Sequence, residues 1–365
     1  MPPRSSAPRE PPRFRLIGAV LALAVLANPA GAQDAPAPST ARVQPDVPAR
    51  LLKSGRPEYP LLLRKTGNRG NVTVYYQVRS SGELANFTVL ASDHPAFEQA
   101  VMEWLLRQKA SPAMKSGVAV DAWVTQSYHF ELQGAGLDPF SPPAVPAAGM
   151  REDLRYDTPP KIRYVAPLVY PRDKLAAGVD GTARLNVLLG PDGKVHVVKV
   201  LASSNEEFGY AAKASLEAWR FEPARKNGQP SWALFSYEQK FDDADREARV
   251  NDSAQHLLQL VTSGAPGIAT LKDLDAPLVP RYRPTPVYPP ELKDAGVGGN
   301  ARIEFLVDRD GAAQLPRVLS ADNPQFGWAA VTAVSRWRFD PPLRNGRAVD
   351  VQAEVPVVFT PAAQH

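Results

Sequence analysis

Five histidines, His94, His129, His196, His256 and His365, are the residues from which a metal or proton-transfer site would be built. No two stand at metal-ligand spacing, and the chain has no HExxH pattern. Asp192 and Asp310 invite a carboxylate reading, but each sits beside a glycine at a hairpin position, which accounts for it. Gly178, Gly181, Gly296 and Gly299 lie between a short helix and a strand, whereas a phosphate-cradling loop leads into a helix N-terminus. There is no GxSxG elbow and no P-loop signature. Cysteine is absent, which excludes disulfides and thiolate chemistry. No acid, base and nucleophile recur together, so neither an enzyme nor a metal or other cofactor is expected.

Charge points away from nucleic acid as well. The first 32 residues, with Arg4, Arg9, Arg13, Arg15 and Glu10, carry +3 of the formal +4. The rest of the chain intersperses acids and bases without a basic stripe. Those four arginines precede twelve apolar or small residues, Leu16 to Ala27, and then Ala30 and Ala32 in small-x-small spacing. Twelve residues of helix span about 18 Å, short of a hydrocarbon core of about 30 Å. Residues 1–32 therefore read as a cleaved secretory signal, with an uncleaved anchor as the other reading.

What must position any site is a repeat. Tyr59-Pro60, Tyr170-Pro171 and Tyr288-Pro289 are separated by 111 and then 118 residues. Gly70, Gly181 and Gly299 keep the same intervals, as do Phe97, Phe208 and Phe326. The later two copies share "WRFEP" at Trp219 and "WRFDP" at Trp337. In the third copy the order is a short helix after Tyr288, an alternating strand through Ala301, Ile303, Phe305 and Val307, and a turn at Asp310-Gly311. A second strand, a helix and a last strand over 349–359 follow. Phe326, Ala330, Ala333, Val334 and Trp337 give that helix one apolar stripe. Asp322 with Gln325, and Ser204 with Glu207 in the second copy, are the expected capping pairs. A helix packed on one face of a small antiparallel sheet is the economical solution, an α+β fold in three tandem units. The first copy has Gln108 where the others have tryptophan, with Trp104 one turn earlier, and is expected to be the most distorted.

The boundaries read as signal 1–32, a Pro/Ala-rich lead 33–55, repeats 56–134, 164–243 and 281–361, and linkers 135–163 and 244–280. Ala254, Leu257, Leu258 and Val261 predict a helix in the second linker. Pro-rich and long linkers predict repeats that unfold separately. The expected core includes Phe208, Trp219, Phe221, Phe326, Trp337 and Phe339.

Tyr170-Pro171, Gly178, Gly181, Asp192-Gly193, Phe208, Ala211, Ala214, Trp219-Arg220-Phe221, Pro223 and Asn227-Gly228 together resemble the C-terminal domain of the TonB energy-transducer family. Tyr288-Pro289, Gly296, Gly299, Asp310-Gly311, Phe326, Trp337-Arg338-Phe339, Pro341 and Asn345-Gly346 repeat the pattern, and Tyr59-Pro60, Gly67, Gly70, Phe97 and Pro112 keep part of it. The resemblance implies a periplasmic domain that binds an extended segment of an outer-membrane transporter, or of another envelope protein, by adding it to a sheet edge. Carried onto this chain, the docking strands are 231–241 and 349–359. Their candidate residues are Ser231, Leu234, Tyr237, Glu238, Phe241, Val349, Val351, Val355, Val357 and Phe359. Association with the membrane or cell wall is the remaining partner class. An anchored transducer is the second reading, because a 23-residue lead reaches at most about 80 Å.

Overall fold

The computed structural model describes residues 45–52, 55–60, 63, 69–130, 150–242 and 250–361, together with a short strand at 25–27. Residues 1–24, with most of the apolar run, residues 28–44 and the Pro-rich stretch 131–149 lie outside the described residues.

The first repeat has strands β1 (Gly70–Val78) and β2 (Leu84–Ser92), helix α1 (Pro95–Leu106) and strand β3 (Ala122–Phe130). The second begins with β4 (Lys161–Tyr164) and the short α2 (Arg172–Ala176). Then come β5 (Gly181–Leu189), β6 (Val195–Ser203), α3 (Glu206–Ala218), β7 (Arg220–Glu222) and β8 (Ala233–Phe241). Helix α4 (Asp252–Ser263) and strand β9 (Ile268–Thr270) lie between the second and third repeats. The third holds β10 (Pro280–Tyr282), α5 (Pro290–Asp294), β11 (Gly299–Val307), β12 (Ala313–Ala321), α6 (Pro324–Val334), β13 (Arg338–Phe339) and β14 (Asp350–Phe359). In each repeat the first long strand is central, flanked antiparallel by the second and the last.

The repeated landmarks are one packing device. The tyrosine meets the helix phenylalanine edge-on, at 5.6, 5.7 and 5.7 Å between ring centroids for Tyr59–Phe97, Tyr170–Phe208 and Tyr288–Phe326. The glycine opening the central strand lies under that ring. A Cβ on Gly181 would come within 2.2 Å of Phe208. The hairpin glycines serve a second purpose: Gly193 (φ +74°) accepts the Phe221 N–H at 2.9 Å, and Gly311 (φ +86°) accepts that of Phe339 at 2.8 Å. They dock the "WRF" strand against the hairpin.

The helix caps fall one residue later than the sequence suggests. Asn205 and Asn323 are the N-caps, accepting from the N–H of Glu207 (3.0 Å) and Gln325 (2.9 Å). Ser204 and Asp322 instead accept the N–H of Thr182 (2.9 Å) and Asn300 (2.7 Å). Asp93 does the same for Asn71 at 2.8 Å. The residue before each cap thus latches the start of the central strand.

The repeats are not separate beads. Repeats two and three share one hydrophobic core, and α3 packs against α6. Almost every residue of both helices is buried, not a single stripe. The small residues of "AAKAS" and "GWAAVTAV" let each helix lie between its own sheet and the neighbouring repeat. Strand β4 pairs with β7 and touches β2 at Ser92–Tyr164, so the first repeat's sheet continues into the second.

Arg336 of the third repeat reaches Glu98 of the first at 2.8 Å. Residues 157–163 and 275–280, read from sequence as linker, are built into the second and third repeats: Thr158 bridges Arg225, β4 pairs with β7, the Asp275 N–H donates to Leu343 O at 2.8 Å, and Pro280 pairs with Phe339. Helix α4 buries Ala254 and Leu257 but leaves Val261 exposed. Trp104 packs against Tyr128 with ring centroids 5.7 Å apart.

Candidate functional site

The last strand of each repeat is an edge, and proline shows which way its groups point. Pro356 faces Arg302 across the β11–β14 ladder. Proline has no N–H, so that pair is not a hydrogen-bonded one, and position 356 turns its main chain outward. Alternation then turns Asp350, Gln352, Glu354 and Val358 outward too. The latches fix the same phase elsewhere. The N–H of Thr182 goes to Ser204 and that of Asn71 to Asp93, so neither bonds the last strand. Their cross-strand partners are Lys240 and His129. The outward groups are therefore those of Leu234, Ser236, Glu238 and Lys240 on β8, and of Trp123, Thr125, Ser127 and His129 on β3.

No strand among the described residues pairs with the outer edge of β3 or β8. The edge of β14 differs. It carries β9 in parallel at Asp350–Gln352 and the strand Val25–Ala27 in parallel at Val357–Phe359.

Of the residues proposed from sequence, Leu234, Tyr237, Glu238 and Phe241 lie on β8, and Val351, Val355, Val357 and Phe359 on β14. Ser231 belongs instead to a short strand, Gln229–Ser231, that pairs back on Ala224–Lys226. Val349 precedes β14 and donates its N–H to Pro342 O at 3.0 Å. Phe241, Val351, Val355, Val357 and Phe359 are buried. Their side chains face the helix, which leaves only main chain to offer an added strand. Tyr237 is half-buried and packs edge-on against Trp219 at 5.7 Å.

Trp219, Phe208, Phe221, Phe326, Trp337 and Phe339 all sit in the shared core. The arginines of "WRF" fold back: Arg220 donates to Trp219 O at 2.7 Å and Arg338 to Trp337 O at 2.8 Å.

Two features escaped the sequence reading. One is the first repeat's own edge β3, signalled by Phe130 standing 111 residues before Phe241. The other is β9, three residues too short to show alternation.

The Asp192 carboxyl is desolvated, yet the Lys194 N–H and His196 hold it below its ordinary range. It closes the hairpin at 3.0 Å from each. Burial pushes the Tyr76 hydroxyl up to about 12. Among the described residues no group of three or more His, Asp or Glu converges as for a metal ion.

The family model for the Gram-negative bacterial TonB protein C-terminal matches residues 55–132, 166–242 and 284–361, together more than half of the chain, and the chain belongs to that family. The solution NMR structure of the Pseudomonas aeruginosa TonB CTD is 26% identical over 25% of this chain and 93% of its own, with a TM-score of 0.23. A comparison with curated proteins finds no match. The fold is α+β, with three tandem TonB C-terminal-like domains.

Proposed function

We propose that this is a non-enzymatic periplasmic protein that binds extended segments of envelope or outer-membrane proteins by strand addition. The outer edge of β8 carries the reading: among the described residues no strand pairs with it, and Leu234, Ser236, Glu238 and Lys240 offer a continuous outward run without proline. Family membership supports it, and so does the sister strand β14, which holds one added strand, Ile268–Thr270, from its own chain. The basic, apolar and small-residue start of the sequence supports export. Among the described residues no helix is long and apolar enough to cross a membrane.

The test is NMR titration of the full chain with synthetic peptides copying extended segments of outer-membrane transporters. Shifts are expected at the amides of Leu234, Ser236, Glu238 and Lys240. Unchanged amides on β3 and β8 across the peptide set would overturn strand addition and favour cell-wall association. The amino terminus of the native protein is expected at Gln33, in the periplasmic fraction. Full-length chain in the inner membrane would favour an anchored transducer.

A further inference from the structure

The three edges have the same architecture but differ in what already lies on them. In the third repeat, Ile268, Ala269 and Thr270 pair in parallel with Asp350, Val351 and Gln352. Ala269 is buried at 6% exposure and belongs to the shared core. The segment is fastened on both sides. Upstream, Asn251 caps α4, and Ser253 donates to Asp308 at 2.9 Å. Downstream, Asp273 accepts from the Thr270 N–H at 2.7 Å and from its hydroxyl at 2.8 Å. Asp275 accepts from the N–H of Asn345 and Gly346 at 2.7 and 2.8 Å.

Beyond Gln352, the outward groups of β14 are interrupted by Pro356, which has no donor to give an added strand. The positions equivalent to Gln352, 118 and 229 residues earlier, are Leu234 and Trp123. Neither carries a paired strand on its outer side among the described residues.

We propose that Ile268–Thr270 is a resident strand that closes the third repeat's docking edge, so that a partner's strand is received on β3 and β8 and not on β14. This rests on the strand-addition reading above. The chain then has two open edges from three repeats. The third repeat serves as the support on which the second is packed, through the core they share.

Two measurements on the full chain test it, both using the chain's own residues, so they hold or fail apart from any partner. The first is amide hydrogen exchange. The Gln352 N–H, facing β9, is expected to exchange about a hundredfold more slowly than the outward amides of Ser236 and Glu238. Equal rates would overturn the proposal. The second uses a synthetic peptide of residues 265–275 as probe. In the unaltered chain it is expected to leave the amides of 350–354 unmoved. In Ala269→Pro, which removes the middle donor of the resident strand, the peptide is expected to shift them. Shifts at 350–354 already in the unaltered chain would overturn the proposal. So would their absence in an Ala269→Pro chain whose remaining spectrum is folded.

Discussion

The Arg172 guanidinium of the second repeat lies 2.6 Å from the Glu304 carboxylate on β11 of the third, with side chains only 4% and 7% exposed. Arg172 also donates from Nε to Leu315 O at 2.8 Å, and Arg317 reaches the same carboxylate at 2.9 Å. Burial alone would raise the Glu304 pKa; the two arginines outweigh it and hold it below its ordinary value. A carboxyl lowered in the fold stabilises above its unfolded pKa, and that contribution is lost as pH falls through the folded one. Arg172→Met leaves this carboxylate with Arg317 and the Gln352 amide, which donates to it at 2.8 Å, and is expected to cost about 3 kcal/mol at neutral pH. Urea midpoints should show the cost, and it should shrink on acidification. A midpoint unchanged at pH 7 would contradict the pairing.

Glu217 behaves in the opposite sense. Burial pushes its pKa up to about 7, although Lys213 Nζ stands 3.2 Å away and pulls it down. That lysine is shared with Glu291 of the third repeat at 3.2 Å. A raised carboxyl favours the fold at low pH, and this benefit is lost as pH rises from the unfolded value toward about 7. Glu217→Gln should therefore flatten a decline of at most about 1.4 kcal/mol per pH unit in that window. Identical stability profiles for variant and wild type would place the titration elsewhere.

Trp337 is 1% exposed, meets Phe305 edge-on at 5.8 Å and donates to Pro284 O at 3.1 Å. Trp337→Ala should cost about 3–5 kcal/mol. Separate linkers would confine that loss to the third repeat. The shared core makes the second repeat lose stability with it. Amide exchange of β5 and β8 is the check: protection kept there while β11 loses it would restore independent domains.

The sequence made the repeat legible because its landmarks are steric. A glycine under a ring and an Asn-Gly turn at φ 51° and 77° tolerate few substitutes, so they recur visibly. One landmark of the same kind lies upstream of each repeat's tyrosine. Asp46-Val47-Pro48, Asp157-Thr158-Pro159 and Asp275-Ala276-Pro277 keep the intervals of 111 and 118. Each aspartate accepts the N–H of the residue 70 positions on, Ser116, Asn227 or Asn345. The repeat therefore reaches upstream into the stretches read as lead and linker.

What no periodicity carried was the second buried face of α3 and α6. Alanine and glycine score as neutral on an exposed face and as necessary in a close helix contact, and only the partner decides between them. The docking phase was half legible. Pro356 marked an edge, but its direction needed the register that sets it opposite Arg302.

Arg336 is the clasp on the first repeat. Its Nε donates to Glu98 at 2.8 Å and its Nη2 to the Tyr282 hydroxyl at 2.6 Å, with the guanidinium 5.0 Å from the Tyr164 ring centroid. Burial disfavours its charge, but Glu98 and the two tyrosines raise its pKa, and it stays protonated. Burial likewise raises the Tyr282 hydroxyl, which remains an acceptor that keeps its own proton. Arg336→Met would strand the Glu98 carboxylate, 5% exposed, in the junction at a cost of about 3–5 kcal/mol. The first repeat's core is a second cluster, distinct from the one shared by the other two and joined by Tyr282 of the third repeat. It should therefore melt separately once the clasp is gone, and calorimetry should resolve two endotherms where the unaltered chain gives one. Arg336→Lys should not restore the single transition, since one ammonium cannot reproduce the fork that meets carboxylate and hydroxyl together. A single endotherm in Arg336→Met, or full recovery in Arg336→Lys, would show that the repeats are joined by packing and not by this arginine.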